Sequence, residues 1–322
     1  MSVYARVKKK MSKRIVFMGT PAFAVPALKA LHAHGHTLVA VFTQPDSPAG
    51  RGRKMTAPPV KLAALELGLP VLQPSSLSSQ AVLRSLLAQS IDVIVVAAYA
   101  KLLPVSILGV PRLGCKNIHA SLLPKYRGGA PVHWAVVNGE RETGVTIMEM
   151  ARGLDTGDII ARQAIPIGEE ETCGSMTDKL AGLGAELVSW VVALPDAGES
   201  RRVAQDHALM SFARNVSKQD GLIDWSQEPR QVHDRVRGMY PWPGAFTHWQ
   251  GTILRILGTR VVEQAPVLPS GVVSHVNGRL WVGCRDASLE LLTVQPPGRK
   301  AMSALDFHRG YLSQRGDTKT FC

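Results

Sequence analysis

The sequence predicts an α/β fold: a Rossmann-like, mostly parallel sheet in an N-terminal catalytic domain, followed by a small OB-like β-barrel domain. Three observations predict it. From residue 14 to about residue 192, short apolar runs alternate with helical patterns, as repeated βαβ units do. The run at 91–98 (Ile-Asp-Val-Ile-Val-Val-Ala-Ala) is apolar on both faces, as a central parallel strand is. Beyond residue 252 the pattern changes to short β-like runs separated by Gly258, Gly271, Gly278 and Gly298, at the spacing of a small barrel.

Residues 1–10 are basic and carry no apolar segment, so they are no signal peptide and read as an extension ahead of a catalytic domain at 11–194. Residues 14–18 form the first buried strand. Gly19-Thr20-Pro21 then turns the chain into a helix over 25–34. A G-x-G-x-x-G fingerprint is missing: only Gly19 is present, and Pro21 and Pro26 crowd the turn, which disfavours an NAD oxidoreductase. A second strand spans 37–43. The Gly- and Pro-interrupted stretch 44–59 predicts a long loop without regular structure, with Arg51, Arg53 and Lys54 near its middle. Helices over 60–67 and 80–88 flank a short strand at 70–72. The central strand ends at Tyr99-Ala100-Lys101, where Lys101 is expected to be solvated.

The stretch that carries chemistry is Asn117-Ile118-His119-Ala120-Ser121-Leu122-Leu123-Pro124-Lys125-Tyr126-Arg127-Gly128-Gly129-Ala130-Pro131. On an extended chain, side chains at i and i+2 share a face, so a carboxamide and an imidazole converge on one group. One donates to a developing oxyanion and the other moves a proton. Pro124, Gly128, Gly129 and Pro131 then shape a loop at a strand end, where open α/β sheets keep their sites. A helix over 132–137 stops at Asn138-Gly139, and a strand over 144–150 leads into a loop holding Asp155 and Asp158. Either carboxylate can orient His119. A strand over 159–165 and a long helix over 175–192, capped by Thr172 or Ser175, close the domain.

Asn-x-His with Ser-Leu-Leu-Pro, followed by Thr-Gly-Val-Thr-Ile (143–147) and Leu-Asp-Thr-Gly-Asp (154–158), resembles the folate-dependent formyltransferases, and among them those acting on tRNA. The resemblance implies formyl transfer from 10-formyltetrahydrofolate, a co-substrate, to the α-amino group of methionine on initiator tRNA, with no metal. By the same resemblance Asn117, His119 and Asp155 are catalytic, with Asp155 preferred over Asp158. Ser121, Leu122, Leu123 and Pro124 bind the folate, and the Tyr99-Ala100 strand end borders its pterin. Arg51, in Pro-Ala-Gly-Arg-Gly, enters the acceptor stem with Arg53 and Lys54 supporting it. The barrel binds tRNA, with Arg299 and Lys300 foremost.

A linker over 195–215 leads to the C-terminal tRNA-binding domain at 216–322. That domain carries a strand edge at 223–225, a helix at 231–239, an aromatic corner at 240–246, and strands at 253–257, 272–275, 280–282 and 289–294. Trp225 and Trp242 read as core residues, and His133 as a structural one.

At 322 residues, with 45% hydrophobic and 19% charged side chains, the chain has the size and composition of about two globular domains. The net charge of +12 points to a polyanionic partner. No apolar run nears the ~20 residues of a membrane span. Four cysteines (Cys115, Cys173, Cys284, Cys322) lie scattered without CxxC spacing, which argues against zinc and disulfides and suits the cytoplasm. Cys115, close to the motif, is expected in the core rather than as a nucleophile. Two other functions fit parts of the chain. A formyltransferase for a small amine, such as a nucleotide sugar or glycinamide ribonucleotide, shares the three polar residues without needing the basic loop. A non-catalytic RNA-binding protein needs the basic surface but not the Asn-His-Asp set.

Overall fold

In a computed structural model of the chain, residues 12–50, 52–313 and 320–322 are described, so the 1–10 extension and Arg51 lie outside the described residues. β1 (Arg14–Gly19) leads to α1 (Val25–Ala33), β2 (Thr37–Phe42), β3 (Ser47–Ala49), β4 (Lys54–Thr56), α2 (Pro59–Glu66) and β5 (Val71–Leu72). After them come α3 (Gln80–Leu87), β6 (Val93–Ala97), α4 (Val105–Leu108), β7 (Cys115–His119), β8 (Arg127–Gly128) and α5 (Pro131–Val137). β9 (Glu142–Glu149), β10 (Ile159–Pro166), α6 (Cys173–Ala193) and β11 (Phe212–Ala213) complete this half. Contacts divide the chain into two units. The first holds residues 12–131 with Thr143–Ile165 and Thr177–Ala213; the second holds Val132–Glu142, Pro166–Met176 and Arg214–Cys322.

The first unit is built on a seven-stranded sheet of order β10-β9-β7-β6-β1-β2-β5. β5, β2, β1, β6 and β7 run parallel, and β9 lies antiparallel on β7. The chain winds outward from β1 to β5, then restarts at β6 on the other side of β1. Such a reversal opens a crevice at the carboxyl ends of the strands. Thr20 and Gln44 stitch those ends together: Gln44 Nε2 donates to Tyr99 O at 2.8 Å, and Gln44 N donates to Thr20 Oγ1 at 3.4 Å. One face of the sheet packs Val16, Met18, Phe42, Ile94 and Val96 against Leu86 and Ile107 of the helices. Each such burial is worth roughly 1.5–3 kcal/mol.

The predicted loop at 44–59 is instead a small antiparallel ribbon, β3 on β4, with Ser47 opposite Thr56 and Pro48 opposite Met55. A two-stranded ribbon has only edges, so the N–H that Pro48 lacks costs no interior ladder bond. Arg53 N donates to Gly50 O at 3.3 Å and closes the turn. Lys101 is not free in solvent: its Nζ donates to the carbonyls of Pro74 and Ser75, both at 2.9 Å. Cys115 is a core residue whose thiol pKa burial pushes up to about 12, which rules out a thiolate nucleophile at neutral pH.

Lys116, on β7, is fully buried. Its ammonium pairs with Glu149 Oε2, which Arg202 Nη2 also reaches at 2.9 Å, while Cys115 N donates to Glu149 Oε1 at 2.9 Å. Removing one member of such a set leaves a buried charge uncompensated. Glu149→Ala is therefore expected to lower the unfolding free energy by about 3–5 kcal/mol in urea denaturation. A loss below about 1 kcal/mol would show that the Lys116 charge is solvated.

The second unit contains α7 (Pro229–Gly238), β12 (Ala245–Trp249), β13 (Thr252–Arg260), β14 (Val273–Val276), β15 (Arg279–Gly283), β16 (Ser288–Gln295), β17 (Met302–Ser303) and α8 (Ala304–Phe307). Its antiparallel sheet runs β12-β13-β16-β15-β14, with β17 on β16. The chain's last residues join the two edges. His248, on β12, and Cys322 exchange hydrogen bonds at 2.9 and 3.0 Å; Phe321 N donates to Gly271 O at 2.8 Å; and Thr320 bridges Val272, just before β14. The last residues thereby bridge from β12 to the start of β14, curling the sheet toward a barrel and covering part of its edges. Trp225, Val232, Val236, Leu254, Ile256, Leu289 and Phe307 fill the core.

Two local expectations are modified in this unit. The strand edge expected at 223–225 is a single contact, Leu222 bridging Phe246 and Ile223 N donating to Phe246 O at 2.9 Å, after which the Asp224 carboxylate takes Ser226 N at 2.9 Å and Ser226 Oγ at 2.6 Å and folds a local turn. Trp242 is 52% exposed rather than buried. Pro241 and Pro243 flank it and bring no N–H to a ladder, so the corner leaves the sheet. His133 is structural: its Nε2 hydrogen-bonds to Trp242 O at 3.1 Å, and burial lowers its pKa against that bond.

Candidate active site

β7 is apolar and extended, and its alternation decides what reaches the crevice. Ile118 turns toward α6, where a Cβ on Gly184 would meet its Cγ2 at 2.8 Å. Cys115, Asn117 and His119 take the other face. Asn117 is half-buried and, among the described residues, its carboxamide hydrogen-bonds to none. Both donors and the acceptor of that amide are therefore available to a ligand.

His119 ends the strand and is 6% exposed. Its Nε2 lies 2.9 Å from Tyr126 O. A carbonyl only accepts, so Nε2 carries a proton and the tautomer is set by the backbone. Nδ1 faces Asp155 Oδ2 at 3.6 Å, an ion-pair distance longer than a hydrogen bond. Nδ1, which carries no proton in that tautomer, is thus the ring nitrogen left to accept one. Asp155 Oδ2 also accepts from Gly128 N at 2.9 Å. Of the two carboxylates in the 153–158 loop, Asp155 reaches His119; Asp158 instead offers its backbone carbonyl to Glu149 N at 2.9 Å.

Two tight turns make this meeting possible. Asp155 is held at φ 51° and Tyr126 at φ 61°, both left-handed. Gly157 lies so close to β9 that a Cβ would sit 1.8 Å from Glu149 O, so the loop returns onto the sheet only with glycine there. Gly128, at φ 116°, approaches Ala213 O so closely that a Cβ would sit 2.6 Å away.

Ser121, Leu122, Leu123 and Pro124 divide into two pairs. Ser121 and Leu123 are fully buried and engaged with the protein. Ser121 Oγ donates to Lys125 O at 2.7 Å, Thr146 Oγ1 donates to Ser121 O at 2.6 Å, and Leu123 N donates to Thr146 Oγ1 at 3.1 Å. Leu122 and Pro124 are half-exposed and give the stretch its open surface. Arg53 and Lys54 are exposed on the ribbon, and Arg299 and Lys300 on the turn between β16 and β17; among the described residues none of the four pairs with a carboxylate. Arg51 lies outside the described residues.

The sequence did not single out the Tyr126 carbonyl, the Gly128 N–H, Arg127 or Gln205 as parts of the site. All but Gln205 lie inside the motif stretch; the Tyr126 carbonyl and the Gly128 N–H act through main-chain atoms, which leave no side-chain signature, and the partners of the Arg127 guanidinium lie some eighty residues away. Gln205 lies in the expected linker, where no periodicity marks it. That segment is no loose tether: Val203 bridges Ile159, and β11 runs parallel to β8.

The sequence profile of the formyl transferase family matches residues 13–192, and that of the formyl transferase C-terminal domain matches residues 215–312. A methionyl-tRNA formyltransferase of Geobacter metallireducens is 45% identical over 92% of this chain and 95% of its own length. One from Pelotomaculum thermopropionicum is 47% identical over 92% and 95%. Among solved structures, HypX from Aquifex aeolicus in complex with tetrahydrofolic acid superposes with a TM-score of 0.62 at 15% identity. The match covers 94% of this chain and 48% of HypX, so the chain spans about half the length of that protein, and the likeness speaks for the fold.

Proposed function

The chain belongs to the formyltransferase family, and from that premise we propose that it transfers the formyl group of 10-formyltetrahydrofolate to the α-amino group of methionine on initiator tRNA, in the cytoplasm, for translation initiation. The observation that carries this reading is the His119–Asp155 pair at the carboxyl end of β7, with Asn117 two residues back on the same strand, in a chain that matches methionyl-tRNA formyltransferases over nearly their whole length.

The amine nitrogen attacks the formyl carbon, and the C=O π pair moves onto oxygen. The C–N10 bond then breaks as the oxyanion collapses, so the folate nitrogen leaves and the new N-formyl bond remains. Overall one proton leaves the amine and one reaches N10. The Asn117 amide donates to the oxyanion, where a fixed donor is worth most. His119 Nδ1 takes the proton from the attacking amine and, once protonated, can donate to the oxyanion. Asp155 holds the ring and balances the charge it acquires. Leu122 and Pro124 offer the folate an apolar contact, while Ser121 and Leu123 keep that loop in shape from behind. Arg51, Arg53 and Lys54 reach the acceptor stem, and Arg299 and Lys300 lead the barrel's contact with tRNA, through phosphates.

The test is a formylation assay with 10-formyltetrahydrofolate and charged initiator tRNA, comparing wild type with Arg51→Ala. Wild type is expected to formylate the tRNA, and the variant to lose mainly tRNA-dependent efficiency, with a flatter salt dependence. A wild type that ignores the tRNA and formylates a small amine instead would keep the chemistry and overturn the acceptor.

A further inference from the structure

Behind the His119–Asp155 pair lies a second buried arrangement that formyl transfer does not itself consume. Arg127 is 3% exposed and, among the described residues, faces no carboxylate. Its Nε and Nη2 donate to Gln205 Oε1 at 3.1 and 2.6 Å. Nη2 also lies 3.1 Å from His207 Nδ1, and Nη1 lies 3.9 Å from Met210 Sδ. A buried guanidinium that faces no described carboxylate is costly, and a fold retains it where its charge has an effect.

The effect runs through Gln205, itself 6% exposed. Its Oε1 is saturated by the cation, which polarises the amide and strengthens its N–H donors. Nε2 donates to Asp155 O at 2.9 Å and to Gly157 O at 2.7 Å. One carboxamide thus grips both ends of the arc that presents Asp155. That arc needs gripping, because Asp155 is a non-glycine residue in the left-handed region. The same segment holds the opposite arm of the site. Ser211 Oγ accepts from Tyr126 N at 2.9 Å, Ser211 O accepts from Arg127 N at 2.8 Å, and Ala213 O accepts from Ala130 N at 3.3 Å. The turn so anchored carries the carbonyl that sets the His119 tautomer and the N–H that reaches Asp155.

We propose that Arg127 and Gln205 are positioning residues: the charge-polarised carboxamide of Gln205 fixes the Asp155 backbone and so sets the register of Oδ2 against His119 Nδ1. This rests on the catalytic reading of Asn117, His119 and Asp155 given above. Both side chains are buried and turned to the protein, so the expected effect falls on kcat and spares binding.

Gln205→Glu is the informative variant. Its carboxylate keeps the Arg127 anchor, now as an ion pair, but has no N–H for the two carbonyls. Gln205→Ala removes both functions and orphans Arg127. Gln205→Glu is expected to keep the wild-type circular dichroism spectrum and tetrahydrofolate affinity, and to hold KM for both substrates within about threefold. Its kcat falls about 10- to 100-fold, the scale of a sub-ångström to 1 Å misplacement. A Gln205→Glu enzyme with kcat within twofold of wild type overturns the proposal, as does a rise in KM that accounts for the whole loss. All variants are assayed on whichever amine the wild type formylates. Failure on methionyl-tRNA alone therefore overturns the acceptor, while the kcat comparison still decides the positioning role.

Discussion

Replacing His119 with Ala lowers the kcat of formyl transfer by about 10²–10⁴-fold, the range for losing a general acid–base. The structure sharpens this expectation, because only one ring nitrogen is left open for chemistry. Nε2 is committed to Tyr126 O at 2.9 Å, so proton movement passes through Nδ1, which Asp155 Oδ2 faces at 3.6 Å. Asp155→Asn keeps the shape and still accepts from Gly128 N, yet loses the charge that balances the ring. Its loss is expected at about 10²-fold or more. If the two residues act as one unit, the double variant is little worse than His119→Ala alone, since a carboxylate without its imidazole has nothing to orient. Single-turnover kinetics on the three variants decide the matter. Multiplicative losses would mean that Asp155 acts on the substrate independently of the ring. The unfolding cost is small beside these effects: truncating His119 leaves the Tyr126 carbonyl without its partner, worth about 1–3 kcal/mol of stability.

The parts of this site legible in the sequence are those written in side-chain chemistry or strand periodicity. The alternation of β7 put Asn117 and His119 on one face, and the Leu-Asp-Thr-Gly-Asp run supplied the carboxylate. The sheet was legible for the same reason, since a strand buried on both faces has no room for a polar residue, and β6 has none. Three features were hidden. The ribbon of β3 and β4 looked like a loop because two-stranded ribbons tolerate Pro and Gly that sheet interiors reject. The bridge from β12 to the start of β14 depends on three residues at 320–322 pairing with partners some fifty to seventy positions earlier, at Gly271, Val272 and His248, which no local pattern encodes. Gln205 contributes one carboxamide across roughly fifty residues to the carbonyls of Asp155 and Gly157. A main-chain acceptor has no residue identity, so a contact of that kind becomes visible only once the chain is folded.

Asn117→Ala carries the second large effect, a fall in kcat of about 10²–10³-fold, the usual consequence of losing an oxyanion donor. The carboxamide hydrogen-bonds to no described residue, so its removal breaks nothing in the fold, and stability is expected to change by no more than about 0.5 kcal/mol. That separation makes Asn117 the cleanest probe of the chemistry. Donation and mere shape are told apart by Asn117→Asp, which is nearly isosteric but sets an anion against the developing oxyanion. If the amide donates, the Asp variant is worse than the Ala variant, because repulsion adds to the lost hydrogen bond. If Asn117 only fills space, Asp restores most of the rate that Ala loses. Substrate KM separates the remaining case. A donor used only in the transition state lowers kcat and kcat/KM together, whereas one that binds the ground-state carbonyl raises KM and leaves kcat intact. The half-buried position on β7, on the face shared with His119, favours the first outcome, since the paired strand backbone limits how far the amide can move.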